Sequence, residues 1–115
     1  MTGTTIYHNP RCSKSRQALE YLRERDIEPE IIRYLDDTPG VDELRRLIDA
    51  AGLSVHDAIR TREAEYKELG LSPATPEDEL LAAMVTHPRL IERPFVVTGK
   101  GARIARPTEA LDDIL

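Results

Sequence analysis

The chain has 115 residues, of which 40% are hydrophobic and 32% charged, so it has the mass for one domain with a modest core and not for two. A formal net charge of -5 excludes a general nucleic-acid binder, and with four Tyr, one Phe and no Trp the core must come from Leu, Ile, Val and Ala. The single cysteine, Cys12, excludes an internal disulfide framework and any multi-thiolate metal site.

In chain order, Met1 to Tyr7 lacks the cationic head and apolar stretch of a signal peptide, and no window approaches a membrane span. A cytoplasmic protein without membrane association is expected, in a reducing compartment where a free thiol survives. Thr4-Thr5-Ile6-Tyr7 predicts a strand that stops at the turn residues His8-Asn9-Pro10. A helix follows from Cys12, with Ala18, Leu19 and Leu22 on one face and Asp26 at its end. Ile31 to Tyr34 predicts a second strand, and strand–helix–strand within about 30 residues is a βαβ unit with parallel strands.

Leu44, Leu47, Ile48 and Ala51 keep helical spacing, with Gly52 as the closing residue. Ser54 and Asp57 form a capping box for a short helix through Ile59-Arg60. Thr75-Pro76-Glu77-Asp78 predicts a helix start with Thr75 as the cap, burying Leu80, Leu81, Met84 and Val85 and ending near His87-Pro88. Glu63, Glu65 and Glu68 read as a solvated helix face. After Pro94, Phe95 to Thr98 is a buried strand, Gly99-Lys100-Gly101 a hairpin turn, Ala102 to Ala105 a return strand, and Pro107-Thr108 opens a last helix. The order βαβ, helices, ββα predicts one α/β domain over 1–115, a mixed sheet with a helical insertion at roughly 41–90 between its halves. His56 and His87 lack ligand-spaced partners, so no metal is expected.

Cys12 is the residue that carries chemistry. It follows a strand and a proline turn and opens a helix, where the first backbone N–H groups are unpaired and stabilise an anion. Lowering a thiol by about two pKa units from its usual ~8.5 takes roughly 2.7 kcal/mol. A helix terminus supplies about 0.3–1 kcal/mol and at most about 2, so a cation must add to it. His8, Arg11, Lys14 and Arg16 are near in sequence, and their spacing does not say which faces the sulfur. Ser15 stands where a Cys-x-x-Cys dithiol has its second thiol, so a covalent intermediate on Cys12 requires an external thiol, for which glutathione is the obvious small donor.

Ile6-Tyr7-His8-Asn9-Pro10 with Cys12, Ser15 and Arg16 resembles the active-site loop of the ArsC-type, glutaredoxin-coupled arsenate reductases. Glu68-Leu69-Gly70-Leu71, Arg93-Pro94-Phe95-Val96-Val97-Thr98 and Arg106-Pro107-Thr108-Glu109 extend the resemblance over essentially the whole chain. It implies a thioredoxin-like fold and a cis peptide bond before Pro94. It also implies a nucleophilic Cys12 that forms an arsenic ester, a mixed disulfide with glutathione as co-substrate, and glutaredoxin as the partner that restores the thiol. By the same resemblance Arg60, Arg93 and Arg106 bind the oxyanion, His8 helps hold the thiolate, and Asn9, Ser15, Arg16 and Pro94 support the loop. No bound cofactor and a monomeric state are expected. Three planar, always-charged forks suit a tetrahedral oxyanion better than lysines. In the best-known members small neutral residues follow the cysteine, whereas this loop carries Arg11, Ser13 and Lys14. Two other functions fit parts of the pattern. One is a glutathione-dependent thiol oxidoreductase acting on another small oxidant. The other is an Spx-type regulator binding the RNA polymerase α subunit, although such regulators commonly carry Cys-x-x-Cys and lack the full arginine set.

Overall fold

The computed structural model describes residues 3–115, so the part of the leader reading that falls on Met1 and Thr2 lies outside the described residues. The chain forms two compact units: residues up to Asp37 together with Arg93–Leu115, and the intervening Thr38–Glu92.

The first unit is built on β1 (Thr5–Tyr7), α1 (Ser13–Arg23), β2 (Glu30–Ile32), β3 (Phe95–Thr98) and β4 (Gly101–Ile104), closed by a 3-10 helix at Thr108–Ile114. The sheet order is β2-β1-β3-β4. β1 pairs in parallel with β2, as the βαβ reading requires, and antiparallel with β3 in a register that sets Tyr7 opposite Phe95. β3 and β4 form the expected hairpin, with Phe95 opposite Ile104. The mixed α/β sheet of the sequence reading is therefore the observed one. α1 ends where the pattern does: Asp26 takes φ 61, and the Ile27 amide returns to the Leu22 carbonyl at 3.0 Å. The last helix differs from expectation in winding as a 3-10 helix, which still buries Leu111 and Ile114.

Ile6, Ala18, Leu22, Val96, Ala105, Leu111 and Ile114 make the core of this unit, all at most 1% exposed. α1 covers one sheet face through Ala18 and Leu22, and the terminal 3-10 helix packs against α1 and β4. Burial of each large side chain contributes about 1.5–3 kcal/mol, so this cluster is what fixes α1, and with it Cys12, on the sheet. Leu22→Ala should cost about 2–5 kcal/mol in chemical denaturation, and a loss under about 1 kcal/mol would contradict the packing described.

The second unit is helical: α2 (Val41–Ala50), a 3-10 turn at His56–Ala58, α3 (Ala64–Glu68), α4 (Glu77–Thr86) and a 3-10 turn at Pro88–Leu90. α2 packs against α4, burying Leu44, Leu47 and Ile48 with Leu80, Leu81 and Met84. Gly52, at φ 72, takes the left-handed conformation that closes α2 and a side chain resists. The Ser54–Asp57 box forms reciprocally: the Ser54 amide donates to Asp57 Oδ2 at 3.2 Å and the Asp57 amide to Ser54 Oγ at 3.3 Å. It opens only the 3-10 turn, because Ile59 turns extended and bridges Ile91. Two expectations are corrected. Pro76, not Thr75, caps α4, and the Thr75 hydroxyl instead accepts the Ser72 amide at 2.9 Å, a local turn competing with the cap. Glu63 is not simply solvated, since its carboxylate pairs with Arg60 at 2.9 Å.

Candidate active site

The register of the sheet assembles the site. With Tyr7 opposite Phe95 and Phe95 opposite Ile104, the residues after β1, before β3 and after β4 leave the sheet at the same end of its strands. Those residues are the His8–Cys12 loop, Arg93-Pro94 and Arg106-Pro107. Both X-Pro bonds there are cis, the first as the resemblance implies and the second unforeseen.

The loop is tied down at every step. The His8 amide continues the β1–β2 pairing by donating to the Ile32 carbonyl at 2.7 Å. Asn9 Oδ1 accepts the Arg11 amide at 3.0 Å and its carbonyl accepts the Cys12 amide at 3.0 Å, a side-chain-locked turn. Arg16 reaches back from α1 to the Pro10 carbonyl at 2.9 Å. Ser15 is fully buried; its Oγ accepts the Asn9 amide at 3.0 Å and lies 2.6 Å from His8 Nδ1. With one proton and two lone pairs on that hydroxyl, the satisfied assignment has Ser15 donating to Nδ1 and the ring proton on Nε2.

Cys12 occupies the N-cap of α1 in extended conformation, 9% exposed, and its carbonyl accepts the Arg16 amide at 3.0 Å. Its sulfur stands where a serine or aspartate oxygen stands in an ordinary cap. The first turn of α1 carries no acidic side chain that would offset the positive helix end. Burial pushes the thiol up, but the Ser15 amide, the positive charge of Arg93, the Lys14 amide and a hydrogen bond from the Arg93 side chain outweigh it, and the net shift is downward. The cation at the sulfur is therefore Arg93, a residue that sequence proximity does not suggest. The resemblance brings Arg93 to the site as an oxyanion ligand, not as the cation beside the sulfur.

His8 is buried, and its pKa is lowered by desolvation and by the charges of Arg33, Arg23 and Arg16. It is thus neutral at physiological pH and contacts Ser15. A histidine whose folded pKa lies below its unfolded ~6.5 binds fewer protons in the native state, so it adds stability above that pH which is lost as pH falls toward the folded value. Denaturation midpoints should fall on acidification below about pH 6.5, and His8→Gln should flatten that slope. An unchanged slope would show that His8 titrates normally.

Arg106 follows β4 and shares a cleft of about 370 Å³ with Lys14 and Gln17 of α1, and with Pro107, Thr108 and Glu109. Arg60 belongs to the second unit, where its amide donates to the Leu90 carbonyl at 2.7 Å and its guanidinium holds Glu63. The structure thus brings Cys12, His8, Asn9, Ser15, Arg16, Arg93 and Pro94 together, with Arg106 beside the first turn of α1. Among the described residues no His, Cys, Asp and Glu cluster could hold a metal ion, and no helix is long and apolar enough to cross a membrane.

A four-stranded mixed sheet, a cysteine capping its first helix and an Arg–cis-Pro pair at the same end of the strands define a thioredoxin-like thiol protein with a helical insertion. The chain belongs to the ArsC family, whose profile matches residues 7–114. It is similar to an arsenate reductase of Rhizobium meliloti, 49% identical over 112 residues that cover 96% of this chain and 80% of that protein. An Escherichia coli arsenate reductase is 46% identical over 116 residues, covering all of this chain and 82% of the relative. Among solved structures, an arsenate reductase from Vibrio cholerae superposes with a TM-score of 0.95 at 46% identity, covering 99% of this chain and 98% of that one.

Proposed function

We propose that this chain reduces arsenate to arsenite by a monothiol mechanism centred on Cys12. The observation that carries the reading is a buried thiol whose pKa is nevertheless lowered, by two helix amides and by Arg93. The arsenate reductases to which the chain is 46–49% identical supply the substrate.

In this reading the Cys12 thiolate attacks arsenic, an oxygen leaves as water after protonation, and a sulfur–arsenic(V) bond forms. The sulfur of glutathione then bonds to the Cys12 sulfur. The sulfur–arsenic bond breaks with its electron pair remaining on arsenic, which departs as arsenite. Two thiols have become one disulfide, and arsenic has gained the two electrons. Glutaredoxin attacks the glutathione sulfur and frees Cys12. Ser15 holds no second thiol and its hydroxyl is engaged with His8 and Asn9, which supports the need for external thiols. Arg93 and Arg106 hold the oxyanion, with Arg60 as the third fork of the family pattern. His8 acts as a positioning residue through Ser15, whose amide supports the thiolate. The chain works as a monomer in the reducing cytoplasm, where its thiol partners are found.

Arsenite formation by purified protein supplied with arsenate, glutathione and glutaredoxin tests the reading. Turnover well above the protein-free mixture is expected. A rate no higher than that mixture would reject arsenate as substrate.

A further inference from the structure

The cleft containing Arg106 has more polar groups than an oxyanion uses. Besides Arg106 its walls carry Lys14, Gln17, Thr108 and Glu109. Its volume of about 370 Å³ lies within the roughly 300–1,000 Å³ usual for small-molecule clefts. Lys14 belongs both to this cleft and to the thiol site, because it lines the cleft and its amide supports the Cys12 sulfur. Cys12 itself does not line the cleft, but Lys14 in the first turn of α1 does, so a molecule lying there reaches the helix start two residues from the thiol.

The charges also match a particular ligand chemistry. Beyond Arg106, one cation, one carboxylate, one amide and one hydroxyl complement a tripeptide thiol that carries carboxylates, an ammonium and two peptide groups. We propose that this cleft seats the peptide of the thiol co-substrate and so selects glutathione over small neutral thiols. Lys14 pairs with one of its carboxylates and Glu109 with its ammonium, while Arg106 stays with the oxyanion. The proposal rests on the monothiol reading given above and names where its second thiol binds. A second cleft, lined by the loop residues His8 to Arg11 with Arg33, Leu35 and Asp36, includes no residue of α1. Because these side chains are exposed, each charge contact is worth no more than a few-fold in rate, and selection comes from their sum.

Disulfide exchange tests this without arsenate. The Cys12 thiolate attacks one sulfur of glutathione disulfide, the mixed disulfide forms, the original sulfur–sulfur bond breaks, and glutathione thiolate leaves. The Cys12 sulfur is oxidised and the leaving sulfur reduced, with no other reactant. For each variant, the rate with glutathione disulfide is divided by its own rate with the neutral bis(2-hydroxyethyl) disulfide, at low ionic strength. Lys14→Met and Glu109→Gln should each lower this ratio about threefold, while Arg11→Met leaves it unchanged. The Glu109 variant is decisive, since simple attraction of an anion would make removal of a carboxylate raise the ratio. A raised or unchanged ratio in Glu109→Gln, or an equal drop in Arg11→Met, would overturn the proposal. Absence of exchange with either disulfide would instead overturn the monothiol reading, and this proposal with it.

Discussion

Cys12→Ser should lower kcat/KM for arsenate reduction by on the order of a thousandfold or more while leaving the fold intact. A serine hydroxyl is not ionised at neutral pH, so the amides of Ser15 and Lys14 and the charge of Arg93 have no anion to stabilise. Serine is at the same time a preferred N-cap, and its oxygen satisfies α1 at least as well as sulfur does. The expected signature is loss of turnover with a melting temperature unchanged or raised. Retention of more than about a tenth of the wild-type rate would contradict a covalent role for Cys12.

Arg93→Ala is the second large effect. The guanidinium acts on the thiol by charge and by hydrogen bond, and in the proposed reaction it also receives the oxyanion. Removing one such donor typically costs about 10²–10³ in rate, and that is the loss expected here. The same substitution should shift thiolate titration, followed by ultraviolet absorbance or by alkylation rate against pH, to higher pH. The sign follows from the balance at Cys12: burial raises the pKa, the two amides and Arg93 lower it, and deleting Arg93 strengthens the first effect relative to the rest. Arg93→Lys should restore part of the titration shift and less of the rate, because the charge returns without the planar fork. A titration unchanged in Arg93→Ala would show that the helix terminus alone holds the thiolate.

Much of this architecture is legible in the sequence because local chemistry and global fold agree. Thr5-Ile6-Tyr7, the turn at His8-Asn9-Pro10 and the spacing of Ala18 and Leu22 specify a βαβ unit whose helix starts at the cysteine, and the structure has that unit. The hairpin of Phe95–Thr98 with Gly101–Ile104 is equally plain. The partner of the thiol was not. Arg11, Lys14 and Arg16 are neighbours of Cys12 in sequence, yet Arg16 turns to the Pro10 carbonyl and Lys14 contributes its amide to the sulfur. Arg93 arrives through the pairing of Tyr7 with Phe95, and no local pattern encodes the register of two distant strands. Thr75 and Glu63 depart from expectation for the converse reason. A favourable cap and an acidic run are local signals, and each was diverted by a nearby partner, the Ser72 amide and Arg60. The Ser15 hydroxyl, buried against His8, joins helix to loop in a way that composition alone does not reveal.

The most direct measurement of the central claim is intact mass of the protein after turnover with arsenate and glutathione in the absence of glutaredoxin. The monothiol mechanism predicts one glutathione adduct per chain, located on Cys12, absent without arsenate, and removed when glutaredoxin is added. Arsenite formation with the chain never carrying that adduct, or an adduct that persists in Cys12→Ser, would contradict it.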